Sequence, residues 1–438
     1  MNEPRMPIPK GFERQAKRLR PMAMPAHFEE VAKQLFEEVC CGSRSLWPFE
    51  PGRMMDPDFR ANFYRLVHDG MWAAQERFIN RIEKGDPMAP GEEGLYRIAM
   101  DTVAWQMLES QLCYARRFFR EQRQPSLSNS NFESVVLAAR ELREQNPDSM
   151  PLIADLTTFV QIGDIMHFDP HRGMTIAEVK QGEKNHKILK LANFYRHSGC
   201  EHFKRRVSEA ETSHTVKQME RMLRQMDRMD FAANVLGSGK GKDPDSKWEI
   251  HIPEPYMPTE DWDEELNELF EEAAEKGWAI NVIDDCLFVG AYAKHMLPAS
   301  PIAFLAWLNE FSSGEFIPAA RLIDSVSVPL ALPLFAMPTS PERMMDLLFG
   351  RLHVCMGISI PGLVAACEKN GFTVRPPKNK RERKWVHETR GEAIRYKGQA
   401  IVLERDGKAM IPGTGIFVRC LFHFQRPVSL IKAMFDIS

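Results

Sequence analysis

The feature that most constrains the fold is a change from helix-favouring to strand-favouring sequence at Pro151. Residues 152–168 are rich in Ile, Thr, Val and Phe, which are enriched in strands. Residues 169–173 (DPHRG) supply the Pro and Gly that suit a chain reversal, and residues 174–180 resume the strand-like pattern. The sequence therefore predicts a β-hairpin over residues 157–180.

Helical patterns lie on both sides of this hairpin, as apolar spacing, capping residues and proline stops indicate. The predicted helices before it cover residues 28–38, 94–120 and 132–145, the last of them stopped by Asn146-Pro147. The predicted helices after it cover residues 184–206 and 207–230. The hairpin is thus expected to be packed between helices.

The C-terminal part of the chain has an α+β pattern. Its predicted helices cover residues 262–276, 301–311 and 341–354, and its predicted strands cover 278–283 and 287–292. A charged loop is expected at 376–384, and a last hairpin with strands at 400–404 and 410–424. The sequence predicts four segments, namely a helical region 1–128, a core 129–236, a flexible basic linker 237–248 and an α+β domain 249–438.

Composition excludes several classes of protein. The formal net charge is −3, and there is no apolar run of about 18 residues that could span a membrane. The basic N-terminus is not followed by the apolar segment of a secretory signal. The eight cysteines form no CxxC pair, which disfavours a zinc ribbon or a redox motif. These features predict a cytoplasmic protein without a membrane partner.

Three ionisable residues belong to the predicted hairpin. Glu178 and Lys180 are separated by one residue and would share a face of the second strand, while Asp164 lies on the first strand. Carboxylates can hold a divalent cation through oxygen, and a nearby lysine can stabilise charge on a reacting phosphate. The pattern predicts one acidic-basic cluster suited to phosphodiester hydrolysis, and a solvated hairpin end with surface charges is the alternative.

This segment resembles the PD-(D/E)XK nuclease superfamily over about residues 130–230, with Gly163 in place of the proline of the literal motif. The resemblance implies an α/β, restriction-endonuclease-like αβββαβ core that binds Mg²⁺ or Mn²⁺. It implies that Asp164, Glu178 and the carbonyl of Val179 are metal ligands and that Lys180 is the catalytic lysine. Glu133 is the best match to an additional family glutamate, ahead of Glu141 and Glu144, and Gln181 could hold water or phosphate.

A basic stretch follows the Glu178-Val179-Lys180 motif. Its candidate phosphate contacts are Lys184, Lys187, Lys190, Arg196, Lys204 and Arg205, with Phe194, Tyr195 and Phe203 as candidates for base stacking. An ordinary charged helix is the alternative. His167, Asp169 and His171 alternate as zinc ligands can, although turns commonly contain these residues.

The expected function is that of a metal-dependent nuclease, with DNA favoured over RNA because most relatives of the superfamily act on DNA. A nuclease with unassigned flanking regions also resembles prokaryotic antiphage-defence proteins. Those regions could gate the site, recognise substrate or build a homo-oligomer. The competing hypothesis is a non-catalytic nucleic-acid-binding or scaffold protein that keeps the fold.

Overall fold

The structure is a computed structural model that describes residues 12–120, 132–180, 183–252, 258–311, 317–388 and 392–437. The helices are α1 Phe12–Arg18, α2 Glu29–Cys40, α3 Pro57–Glu83, α4 Glu92–Met107, α5 Leu112–Phe118, α6 Phe132–Gln145, α7 Glu183–Ser198, α8 Glu201–Ala210, α9 Ser213–Ser238, α10 Asp263–Lys276, α11 Ser300–Glu310, α12 Pro341–Leu348, α13 Ile360–Lys369, α14 Lys380–Glu388, α15 Gly415–Phe422 and α16 Pro427–Ile437. The strands are β1 Met150–Ile153, β2 Ile165–Asp169, β3 Gly173–Ala177, β4 Lys240–Lys242, β5 Glu249–His251, β6 Trp278–Ile283, β7 Leu287–Ala293, β8 Ala319–Arg321, β9 Leu352–Ile358, β10 Thr373–Arg375, β11 Arg395–Tyr396, β12 Gln399–Ala400, β13 Val402–Arg405 and β14 Lys408–Met410. The fold is a mixed α/β class with small antiparallel sheets.

The chain forms two compact units that differ from the four predicted segments. The central unit is residues 33–256, and the terminal unit combines residues 1–32 with residues 257–438. The helical N-terminal region is therefore divided between the units. The boundary near residue 257 lies close to the predicted start of the C-terminal domain at 249.

The central unit contains the elements α6, β1, β2, β3 and α7 in that order, and the three strands form an antiparallel sheet with β2 in the middle. Ile153 lies opposite Ile165 across β1 and β2, and Ile165 lies opposite Ala177 across β2 and β3. The predicted αβββαβ core requires a further strand after the second helix. In the part of the chain that the structure describes, no fourth strand joins this sheet, since β4 and β5 pair only with each other.

Apolar residues explain why β1 belongs to this sheet. All four of its residues are buried. The helix α6 packs against this strand, and its buried residues include Val135, Val136 and Ala139. The free edge of β1 meets the buried Gln75 of α3. Gln75 donates to the carbonyl of Pro151 (3.0 Å) and accepts from the N–H of Ile153 (2.9 Å), so this edge is satisfied by a side chain.

The predicted hairpin was correct in its turn and wrong in its limits. β2 begins only at Ile165, and β3 ends at Ala177, so the residues from 178 onward lie beyond the strand. The β-branched residues near 157 form an irregular buried segment instead, and the strand that pairs with β2 on the side away from β3 is β1, from further upstream. Strand propensity alone does not distinguish a strand from a buried loop.

The structure also differs from two other predictions in the central unit, a helix and a linker. The predicted helix 94–120 is interrupted between α4 and α5, where Glu109 and Ser110 have positive φ angles. The predicted linker 237–248 is ordered: α9 continues to Ser238, and Gly239 ends it in the left-handed conformation that favours glycine. The basic residues that follow form β4, which pairs with β5.

The terminal unit is built on a four-stranded antiparallel sheet of order β6-β7-β9-β8. β9 is fully buried. Its first residues, 352–354, were predicted as the end of a helix over 341–354, because only a short segment separates α12 from β9. The charged residues predicted as a loop at 376–384 largely belong to α14. The region predicted as a second strand at 410–424 begins at the last residue of β14 and then contains α15. A core cluster joins Leu19 from the N-terminus to Phe288, Tyr292 and Phe304.

Among the described residues, no helix is both long enough and apolar enough to cross a membrane.

Candidate functional site

Asp164 stands immediately before β2 and is fixed by both neighbouring strands. Its N–H donates to the carbonyl of Ala177 (2.8 Å), and its carbonyl accepts from the N–H of Ala154 (2.9 Å). The preceding Gly163 has φ = 75°, which a proline cannot adopt. A Cβ at Gly163 would lie 2.4 Å from Cγ2 of Ile176. Glycine is therefore required where the literal motif has proline.

Glu178, Val179 and Lys180 follow the end of β3, so the strand alternation expected for Glu178 and Lys180 was wrong. They nevertheless lie beside Asp164. The N–H of Val179 donates to Oδ2 of Asp164 (2.6 Å), and the ammonium group of Lys180 pairs with the carboxylate of Glu178. The hydrogen bond that the Asp164 carboxylate accepts from Val179 thus determines where this segment lies, and the alternation of a strand does not.

The electrostatics of Asp164 reflect this arrangement. Burial is the largest cause that raises its pKa to about 6, and the negative charge of Glu178 is the next. The N–H of Val179 and the positive charge of Lys180 act in the opposite direction. A carboxylate with a raised pKa beside a second carboxylate is a recognised mark of a functional site.

Asp155 is a further acid near Asp164 that the sequence analysis missed. Its negative charge adds a smaller effect that also raises the pKa of Asp164. It lies two residues after the end of β1, in a short 3-10 turn over Ala154–Leu156. An aspartate that ends a buried apolar strand was the signal that could have identified it.

The donor set fits a hard divalent cation held in part by water or substrate. Asp164 and Glu178 offer carboxylate oxygens in a largely buried place, and Mg²⁺ commonly uses one or two carboxylates together with phosphate oxygens. Within the described ranges, no three His, Cys, Asp or Glu side chains converge as a complete metal cage.

Of three other predicted site residues, one has no hydrogen bond or ion pair with the cluster in the described chain, and two cannot be compared with it. Glu133 is exposed in the first turn of α6 and, as far as the structure describes the chain, has no hydrogen bond or ion pair with the cluster. Gln181 lies outside the described residues. The side chain of Lys184 also lies outside them.

The predicted His167, Asp169 and His171 set serves the turn. Oδ1 of Asp169 accepts from the N–H groups of His171 (2.8 Å) and Arg172 (3.2 Å), and Asn146 donates to Oδ2 (3.0 Å). These bonds occupy the carboxylate. Nε2 of His167 is buried and has no hydrogen-bond partner among the described residues.

The basic stretch lies on α7 and α8, and two of its charges are neutralised by acids from other segments. Lys187 pairs with Glu211 (2.7 Å), and Arg196 pairs with Asp230. Lys190 and Arg205 are exposed, and the ammonium of Lys204 lies 5.6 Å from the centre of the Tyr195 ring. Phe194 is exposed and packs against Phe203, with ring centres 4.5 Å apart. Among the candidate side chains that the structure describes, Lys190, Lys204 and Arg205 form no ion pair, and exposed aromatic surface belongs to the same stretch.

A cavity of about 340 Å³ lies elsewhere in the central unit. Its lining includes Trp47, Tyr64, His68 and Phe168, and Phe168 is on β2 at the end away from Asp164. The Asp164 cluster does not line this cavity.

Comparisons of the chain with models of protein families, with curated proteins and with solved structures found no match.

Proposed function

We propose that the central unit is a metal-dependent phosphodiesterase that cleaves nucleic acid, with DNA as the favoured substrate. The observation that carries this proposal is the hydrogen bond from Val179 to Asp164, which joins the acid before β2 to the Glu178-Lys180 pair after β3. The motif residues are far enough apart in sequence that their convergence is informative. The order α6-β1-β2-β3-α7 supports the same proposal.

The proposed roles follow from the contacts. Asp164 and Glu178 hold Mg²⁺ or Mn²⁺, with the carbonyl of Val179 as a further ligand. Such an ion, when bound, activates water and stabilises charge on the phosphate. Lys180 orients the attacking water or stabilises the developing negative charge, and its pairing with Glu178 keeps the ammonium group at the cluster. Because a metal ligand must be ionised, protons compete with the cation for Asp164, and the concentration of Mg²⁺ needed for cleavage should rise as the pH falls below about 6, the pKa of Asp164 in the metal-free protein.

The test is cleavage of single-stranded DNA, double-stranded DNA and RNA with Mg²⁺ or Mn²⁺, and with a chelator. Lys180→Ala and Asp164→Ala should each lower the rate at least about 100-fold, as loss of a group that acts on the reacting centre commonly does. Lys84→Ala and Asp86→Ala, at exposed positions in the same unit, are the matched controls. Absence of cleavage with every substrate and metal, or equal rates in the variants, would refute the proposal.

A non-catalytic nucleic-acid-binding protein is the second candidate, and the surface of α7 and α8 favours it. Replacing Lys190, Lys204 and Arg205 together by Ala should weaken DNA binding. It should also lower the slope of log binding constant against log salt concentration by the amount expected for up to about three lost phosphate contacts. DNA binding that depends on these residues, in a protein that cleaves nothing, would support this candidate over the nuclease.

A further inference from the structure

The edge strand β6 of the terminal unit presents a partly exposed apolar face. Trp278, Ile280 and Val282 alternate along the strand and are 45%, 39% and 38% exposed. The residues between them point the other way, where Ala279 and Ile283 are buried. Three exposed apolar residues in succession are unusual on an edge strand, because such an edge invites pairing with another chain.

The backbone of β6 is also available for pairing. The N–H of Ala293 donates to the carbonyl of Gly277 (2.8 Å), and Trp278 lies opposite Tyr292. Antiparallel strands alternate between hydrogen-bonded and non-hydrogen-bonded pairs, so the odd-numbered residues of β6 bond to β7. The N–H and C=O groups of Trp278, Ile280 and Val282 therefore face the free edge.

One side chain confirms this direction. The N–H of Val282 donates to Oδ1 of Asn281 (2.8 Å). An N–H that faced β7 would instead donate to a carbonyl of that strand. In the part of the chain that the structure describes, the backbone groups of Ile280 have no such substitute partner. The free edge is thus blunted at one end and open at its centre.

We propose that β6 pairs antiparallel with β6 of a second copy of this chain, about a twofold axis through Ile280, and joins two four-stranded sheets into one. A twofold axis normal to the sheet keeps the exposed face of both strands on the same side, so only residues of the same parity can oppose each other. Ile280 then lies opposite Ile280 of the second copy. Trp278 lies opposite Val282, and the apolar face continues across the interface.

The ends of the strand favour a second copy over an unrelated peptide. The same register brings Lys276, at the end of α10, towards the turn at Asp284 and Asp285 of the other copy. The side chains of Lys276 and Asp285 are highly exposed, and each forms an exposed ion pair within its own chain, Lys276 with Glu272 (2.8 Å) and Asp285 with Lys369 (3.0 Å). Because exposed ion pairs are individually weak, Lys276 of each copy can pair instead with Asp285 of the other copy, and symmetry repeats this contact at both ends of the paired strands.

The test is the mass of the full chain in solution, measured by sedimentation equilibrium over a range of concentrations. The unchanged protein should be a dimer, and Ile280→Lys and Ile280→Glu should each raise the dissociation constant at least about 100-fold, because like charges would face each other at the axis. A mixture of the two variants should recover a dimer containing one copy of each. Ile302→Lys is the matched control, since Ile302 is 59% exposed on α11 in the same unit.

Circular dichroism and thermal unfolding of each variant establish that dissociation of the dimer into monomers is not caused by unfolding. A monomeric unchanged protein, or a dimer that Ile280→Lys leaves intact, would overturn the proposal. Two monomeric variants that fail to associate when mixed would overturn the register centred on Ile280. None of these results depends on nuclease activity.

Discussion

At the scale of single residues, Asp164 belongs to the candidate site, and its ionised form lowers the free energy of unfolding. Its pKa rises from 3.8 to about 6 on folding, so the folded state binds its proton more tightly than the unfolded state does. This contribution to stability is present below about pH 4 and is lost as the pH rises through about 6. Asp164 in its ionised form therefore destabilises the protein at neutral pH.

Asp164→Asn should remove this penalty, because the amide oxygen can still accept from Val179 and the side chain cannot ionise. Relative to the unchanged protein, the variant should gain stability between about pH 4.5 and about pH 7.5, by at most about 3 kcal/mol for a shift of about two pKa units. Chemical denaturation at both pH values measures this difference. Asp86→Asn, at an exposed position, is the control, and an equal pH response in the two variants would contradict the prediction.

Gly163 positions Asp164 through its backbone conformation. Gly163→Ala should destabilise the protein by about 2–4 kcal/mol, since it combines a positive φ angle with a Cβ forced against Ile176. Gly173→Ala is the matched control: Gly173 has φ = 80° and open space around it, so only about 1 kcal/mol is expected. Equal losses of unfolding free energy in the two variants would show that the contact with Ile176 is unimportant.

At the scale of elements, the edge of β1 depends on one side chain of α3. Gln75→Ala should lower the free energy of unfolding by about 2–4 kcal/mol, because it leaves the buried N–H of Ile153 and the buried carbonyl of Pro151 without a partner. Faster hydrogen exchange at Ile153 should accompany the loss. Gln145→Ala, exposed at the end of α6, should change neither quantity, and an unaffected Ile153 amide in Gln75→Ala would argue against this role.

At the scale of the whole molecule, the terminal unit needs both ends of the chain. Leu19 is buried beside Phe288 and Phe304, and its carbonyl accepts from Nε2 of His353 on β9 (2.9 Å). Leu19→Ala should destabilise this unit by about 2–4 kcal/mol. Hydrogen exchange monitored by mass spectrometry should increase in β9 and stay unchanged in β2. Met22→Ala, at an exposed position, is the control, and uniform exchange across both units would contradict the division.

Local pattern predicted the elements whose signals lie within a few residues. The limits of α6 follow from its apolar spacing and from Asn146-Pro147, and the turn at 169–173 follows from its Pro and Gly. The acidic-basic cluster of Asp164, Glu178 and Lys180 was also predicted, although on a strand geometry that does not hold. β1, β9 and Asp155 were missed, because a short buried strand has the same composition as a buried helix or loop.

The sequence by itself therefore determined which residues are strand-like or helical, and which charges stand close to a chain reversal. Only the tertiary structure decided that β1 lies beside β2, that a hydrogen bond from Val179 brings Glu178 and Lys180 to Asp164, and that residues near 19 pack against β9. These contacts join residues far apart in the chain. Their stability comes from burial and from satisfying backbone groups at particular places, and no local period encodes either one.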